Sequence, residues 1–378
     1  MKKLVQIYTG GVSGRNLSIQ QISQKLEELE DYRIDGIIVG WSLDQQIYKW
    51  LRTYTRKKGI ELYLWFQVLA EFKSLGDFTE VTDMDGKTLR SVVFDQDEEF
   101  SFYCPSHPDT LGSLRHIYEK YFAQIAFDGV FLDRIRFPSP VADRNALFSC
   151  TCPFCMERYE RRGIGRRDIE EAQIHMQEGM EQGRVHCIEG YKSGKYSFYS
   201  PKVEKYLQSR TELITETVKE LAEYFKGKGL KVGLDLFAPF LAVFVGQSYS
   251  ELSTAADFVK PMLYRYTYTP AGMKYELEGM AGEMSESMKR IVGMEDGRLT
   301  EFMERELEAA QKLVSCDIYA GMEVHTAKGL PLVEAQSVRE GAELTEKMKC
   351  AGRVASWNIL EASKENLLAF MEEGKHEA

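Results

Sequence analysis

Eight short apolar runs, each separated from the next by a stretch with helical spacing, leave this chain very few folds. They read KLVQIYTG, DGIIVGW, IELYLWFQVLA, DGVFLDRIRF, KVGLDLFAP, DFVKPMLY, DIYAGMEVH and GRVASWNIL. Each is apolar almost throughout instead of alternating, the pattern of strands buried on both faces of a parallel sheet. Between them lie amphipathic stretches, such as the one carrying Ile19, Ile22, Leu26 and Leu29, and the one carrying Leu111, Leu114, Ile117, Tyr118 and Tyr121. Strand–helix alternation eight times over in 378 residues predicts an α/β fold, a (β/α)8 TIM barrel formed by the whole chain, 1–378. A doubly wound sheet is the alternative. It would call for a Gly-rich phosphate loop after the first strand, but YTGGVSGRN neither fits the dinucleotide fingerprint nor carries a P-loop lysine.

Two long insertions interrupt the alternation. Residues 72–104, after the third strand, include FTEVTDMDGKTLRSVVF and read as a β-hairpin turning at Asp85–Gly86. Residues 140–201, after the fourth strand, are polar, rich in Arg and Glu, and carry three clustered cysteines. In a barrel both sit on βα loops, the face where sites are built, and they read as walls of a cleft.

The formal net charge of −10 argues against a general nucleic-acid or anionic-membrane surface. A neutral or cationic ligand is accommodated more easily. No segment has the roughly 18 apolar residues of a membrane helix, and MKKLVQIYTGG lacks the apolar core of a signal peptide. The expectation is a cytoplasmic protein without nucleic-acid or membrane partners, whose seven cysteines are reduced thiols or metal ligands. Nothing in these patterns fixes the oligomeric state.

Three of those cysteines form FSCTCPFC, a C-x-C-x2-C array of Cys150, Cys152 and Cys155. The spacing lets three thiolates converge on one tetrahedral ion, with a fourth ligand from elsewhere. Cys104, in FYCPSHP on the loop after strand three, is the first candidate; Cys187, His186, His107 and His175 remain alternatives. Four thiolates would close the site, so the zinc expected there is structural. Cys316 and Cys350 read as small core hydrophobes.

Three strand carboxylates stand out: Asp133 ending strand four, Asp235 on strand five and Glu323 on strand seven. Arg136, three residues beyond Asp133, is placed to favour its ionised form. Asp235 has a competing reading as an ion pair with Lys260. Aromatic residues suited to the flat C–H face of a sugar fall at the same strand ends: Trp41, Trp65, Tyr264 and Trp357. Arg265 ends strand six, and His325, two residues past Glu323, shares its face.

CPSHP followed by CTCPFCMERY resembles the zinc-binding loops of bacterial β-galactosidases of glycoside hydrolase family 42. DGVFLDRIRFPSP is similar to the Asp-x-x-Arg-aromatic-Pro motif of glycoside-hydrolase-like barrel proteins. The resemblance spans about Asp83 to Arg158 and is only architectural elsewhere. Family 42 enzymes end strand four with an Asn-Glu pair where this chain has Asp133–Arg134, so the likeness implies fold and zinc more firmly than β-galactosidase activity. It also implies that strands four and seven supply the catalytic pair, here Asp133 and Glu323, with the acid/base on strand four. Local surroundings suggest the opposite roles, because Glu323 lies between Met322 and Val324. The reaction expected is acid/base hydrolysis of a glycosidic bond in a carbohydrate substrate, with Asp235, Arg136, Trp41, Trp65, Tyr264, Arg265, His325 and Trp357 around the ligand. Two alternatives stand beside it: a non-catalytic carbohydrate-binding barrel, and a metal-dependent sugar deacetylase, which would need an open metal site.

Overall fold

The computed structural model describes residues 1–91, 100–141, 143–325 and 333–372. Eight parallel strands close into a barrel: β1 Lys2–Tyr8, β2 Gly36–Gly40, β3 Glu61–Gln67, β4 Gly129–Asp133, β5 Lys231–Phe237, β6 Phe258–Met262, β7 Asp317–Glu323 and β8 Gly352–Ser356. Each stave pairs with its chain neighbours. β1 closes the ring against β8, with Leu4 opposite both Val354 and Gly36. The strands are apolar along their length because both faces are covered: β2, for one, is buried at every position. The (β/α)8 barrel that the apolar runs predict is the fold observed.

Helices return the chain between staves. Their ends follow the local signals. Ser18 starts helix Ile19–Glu27 with a capping box to Gln21. Asp44 accepts the N–H of Gln46 at the start of Gln45–Lys58, and Gly59 ends that helix at φ 69°. Among the described residues no helix is long and apolar enough to cross a membrane.

The segment after β3 reverses at Asp83–Gly86, with Leu89 N–H bonded to the Val81 carbonyl and Gly86 at φ 77°. Residues 92–99 of this insertion, and Ala142 of the next, lie outside the described residues. After β4 come helices Pro153–Arg161 and Arg166–Glu181 and a hairpin pairing Ile188–Lys192 with Lys195–Phe198. Two contacts anchor that hairpin on the barrel. The Tyr191 hydroxyl donates to Glu306 (2.8 Å), and the Tyr196 hydroxyl to the Phe240 carbonyl (2.7 Å). Glu306 is buried and also accepts the Phe240 N–H at 2.8 Å. Burial pushes its carboxyl up to about 7, against those two donors.

Candidate active site at the barrel mouth

All eight staves contribute side chains to the C-terminal mouth of the barrel, and most touch the next. The Tyr8 ring lies 4.8 Å from Trp41, and Trp41 4.9 Å from Trp65. The Trp65 indole N–H donates to Asp133 at 2.9 Å. Further round, Lys260 bonds Asp235 at 3.0 Å and lies 5.7 Å from the Tyr264 ring. Tyr264 is 5.7 Å from Trp357, and Trp357 is 3.9 Å from His325. Asn358 closes the circuit by accepting the Tyr8 backbone N–H at 3.2 Å.

Asp133 is half-buried at the last residue of β4, in register with Gln67 of β3. Its Oδ2 accepts from the Trp65 indole and, at 3.3 Å, from the Gln67 amide. Its Oδ1 accepts the backbone N–H of Arg134 at 2.5 Å. Arg134 sits at φ 52°, a left-handed turn just past the strand. Its guanidinium pairs with Glu71 and lies 5.4 Å over the Trp41 ring.

The sequence places Arg136 against Asp133, but the structure gives that carboxylate to other donors. The Arg136 guanidinium is sandwiched between Phe102 (4.7 Å) and Phe237 (4.6 Å) and donates to the Phe137 carbonyl at 2.9 Å. Burial lowers it to about 10. Arg136 therefore ties the first insertion to the barrel.

Asp235 and Lys260 form the buried ion pair that the sequence leaves open, and the Lys260 ammonium also reaches Gln6 Oε1 at 3.0 Å. Burial pushes Asp235 up to about 7; Lys260 pulls it back, and the charge of Asp133 on the neighbouring stave adds to the rise. Lys260 is itself raised: burial opposes its charge, but the Asp235 carboxylate outweighs that. Asp235 Oδ1 has no hydrogen-bond partner among the described residues.

Glu323 is engaged differently from Asp133. The sequence sets it across from Asp133 as a catalytic partner, but its carboxylate is buried and taken up by the loop after β6. Oε1 accepts the N–H of Arg265 (2.8 Å) and of Tyr266 (3.2 Å); Oε2 accepts the N–H of Thr267 (3.0 Å) and its hydroxyl (2.8 Å). A carboxylate saturated in this way holds a loop in place and has little left for a substrate. Arg265 also turns away from a ligand: its guanidinium bonds Thr300 Oγ1 at 2.9 Å and the Ser337 carbonyl. Trp41, Trp65, Tyr264, His325 and Trp357 do lie on the mouth.

Several buried polar side chains at the mouth escape a reading of the sequence. Gln6, Gln67 and Asn358 each use one end of the amide and leave the other without a partner among the described residues. A lone glutamine inside an apolar run, as in KLVQIY or YLWFQV, is the signal that marks two of them.

Apart from the mouth, Cys104, Cys150, Cys152 and Cys155 are buried as free thiols whose sulfurs all lie within 4.8 Å of one another. The Cys104 sulfur is 3.3 Å from that of Cys152 and 3.4 Å from that of Cys155. That is too far for a disulfide and close to the roughly 3.8 Å edge of a tetrahedron with 2.3 Å metal–sulfur bonds. These residues fit a metal ion, and they are the one such group among the described residues. The other candidate ligands are engaged elsewhere: His107 caps helix Pro108–Tyr121, His186 faces the Met280 carbonyl at 3.0 Å, and His175 faces Ser200 at 2.5 Å.

No protein-family model matches the chain, and no curated protein matches it in sequence. Solved structures do. The glycoside hydrolase domain of PgaB (BpsB) from Bordetella bronchiseptica superposes with a TM-score of 0.64 at 12% identity, covering 99% of this chain and 100% of that one. Alpha-L-fucosidase isoenzyme 2 from Paenibacillus thiaminolyticus gives 0.53 at 10% identity, covering 98% of this chain but 48% of that one. A Group IV chitinase from Ostrinia furnacalis gives 0.51 at 8% identity, covering 98% of each chain. At such low identities the likeness speaks for the architecture, and that architecture is a (β/α)8 barrel over nearly the whole chain.

Proposed function

We propose that this protein hydrolyses a glycosidic bond at the mouth of its barrel. One observation carries the reading. Asp133 reaches solvent at the end of a buried strand, its carboxylate fixed by three donors, beside the Trp41 and Trp65 indoles. Glycoside hydrolysis needs one carboxylate to attack the anomeric carbon or activate water, and one carboxylic acid to protonate the leaving oxygen. Asp133 suits the first role. Asp235 is the candidate for the second: burial pushes it up to about 7 against the pull of Lys260 on Oδ2, and its Oδ1 is uncommitted. Glu323 is a positioning residue, fixing the loop after β6.

The pairing of Asp235 with Lys260 at 3.0 Å favours a second reading, a barrel that binds carbohydrate without cleaving it. A panel of aryl glycosides and oligosaccharides, followed by release of aglycone or reducing ends, separates the two. Hydrolysis predicts turnover of at least one member, with kcat/KM reduced roughly 100-fold or more in Asp133→Asn. Turnover that survives that substitution removes Asp133 from the mechanism. Binding without any turnover leaves the second reading.

The four-cysteine cage is assigned to a structural zinc. Its thiolates fill the coordination sphere, so the ion would hold the loops after β3 and β4 together and take no part in the chemistry. The metal-dependent deacetylase reading needs an open coordination position, which this ligand set does not offer.

A further inference from the structure

Round the mouth, the arc of staves from β7 to β3, which ends beside Asp133, has a polarity set by its hydrogen bonds. On five consecutive staves, β7, β8, β1, β2 and β3, buried polar atoms have no hydrogen-bond partner among the described residues: His325 Nε2, Asn358 Nδ2, Gln6 Nε2, Trp41 Nε1 and Gln67 Oε1, with the Ser42 hydroxyl beside Trp41 a further one. Buried polar groups are nearly always paired, so these orphans on adjacent staves call for an explanation.

For the first five, donor or acceptor character follows from what the side chain already does. Asn358 Oδ1 accepts the Tyr8 N–H, so Nδ2 is the donating end. Gln6 Oε1 accepts from Lys260, which can only donate, so Gln6 Nε2 is a donor. The Gln67 amide nitrogen donates to Asp133, leaving Oε1 as acceptor. The Trp41 indole N–H can only donate. His325 Nδ1 faces the Ser356 carbonyl at 3.4 Å, which assigns the proton to Nδ1, and burial lowers the ring's pKa and favours the neutral form, in which Nε2 is an acceptor. Around the barrel the order is acceptor, donor, donor, donor, acceptor.

We propose that this arc is the recognition half of the site. It binds a hydroxylated sugar ring that donates hydroxyl protons to His325 and Gln67 at its two ends and presents acceptor oxygens to Asn358, Gln6 and Trp41 between them. The proposal rests on the reading of the mouth as a sugar site. It goes beyond that reading in fixing which ligand oxygens must donate and which must accept.

Two substitutions change a single orphan and leave the rest of the residue in place. Asn358→Asp keeps the oxygen that holds Tyr8 and turns the free donor into an acceptor. Trp41→Phe keeps an aromatic ring and removes the N–H. Binding of galactose, glucose and N-acetylglucosamine is followed by tryptophan fluorescence, with thermal unfolding as the check on folding. The expected result is that whichever of these sugars binds the wild type binds each variant roughly tenfold or more weakly. Wild-type affinity in both variants overturns the arc, and if Asn358→Asp fails to fold, unchanged binding by Trp41→Phe does so alone. A wild type that binds sugar but cleaves none removes hydrolysis and leaves the arc standing. A wild type that binds no sugar at all removes both.

Discussion

Asp133 and Asp235 sit on adjacent staves in different surroundings, and the proposed hydrolysis rests on that contrast. Asp133 is half-buried and held by three donors; Asp235 is buried and pushed up to about 7. If Asp235 supplies the proton, the active form is the protonated one, so kcat/KM is predicted to fall as pH rises through about 7. Asp235→Asn should lower kcat/KM and abolish that limb; a pH–rate profile of both proteins checks it. Asp133 and Asp235 are legible in the sequence because acids at or near the end of an apolar run are conspicuous. The role of Glu323 is not: whether a strand-end carboxylate faces a cleft or caps a loop depends on where residues 265–267 pass. Arg136 misleads for a similar reason, because its aromatic partners Phe102 and Phe237 lie far away along the chain.

Single elements carry their own tests. Glu323 holds the loop after β6 through backbone N–H groups, and Glu323→Gln would turn an amide NH2 toward those donors. It should cost about 2–5 kcal/mol, read as a lower unfolding midpoint. The hairpin Ile188–Phe198 is pinned through Tyr191 and Glu306. With its folded carboxyl raised to about 7, Glu306 contributes stability in full below its unfolded value near 4.3, and loses it as pH rises through about 7. Stability should therefore decline by on the order of 3 kcal/mol across that window, and denaturant titrations should show a flatter profile for Glu306→Gln. The cysteine cage joins two long insertions: Thr151 bonds the Asp83 carbonyl at 2.6 Å, and the buried Arg210 holds the Ser149, Ala146 and Phe244 carbonyls. One zinc per chain is expected by elemental analysis, and Cys155→Ser should lose it along with several kcal/mol of stability. The C-x-C-x2-C spacing marks three of these cysteines in the sequence; Cys104 joins them only when the loop after β3 folds against the array.

Across the whole molecule, the barrel is the most legible feature, since eight doubly buried strands impose nearly continuous apolar runs that few other folds need. The mouth is less so, because it assembles one or two residues from each stave, and a buried Gln6 or Asn358 gains meaning only beside its neighbours round the ring. What the chain builds is a closed ring of staves that carries two carboxyls on β4 and β5 and a row of polar atoms without partners among the described residues on β7, β8, β1, β2 and β3. The most direct test is a crystal structure of Asp133→Asn soaked with the best-bound oligosaccharide from the panel. The account predicts a sugar ring at the mouth, against the Trp41 and Trp65 indoles, with its glycosidic oxygen within hydrogen-bond reach of residue 133 or Asp235. Sugar bound only outside the mouth, or a mouth filled without contact to either residue, would contradict it.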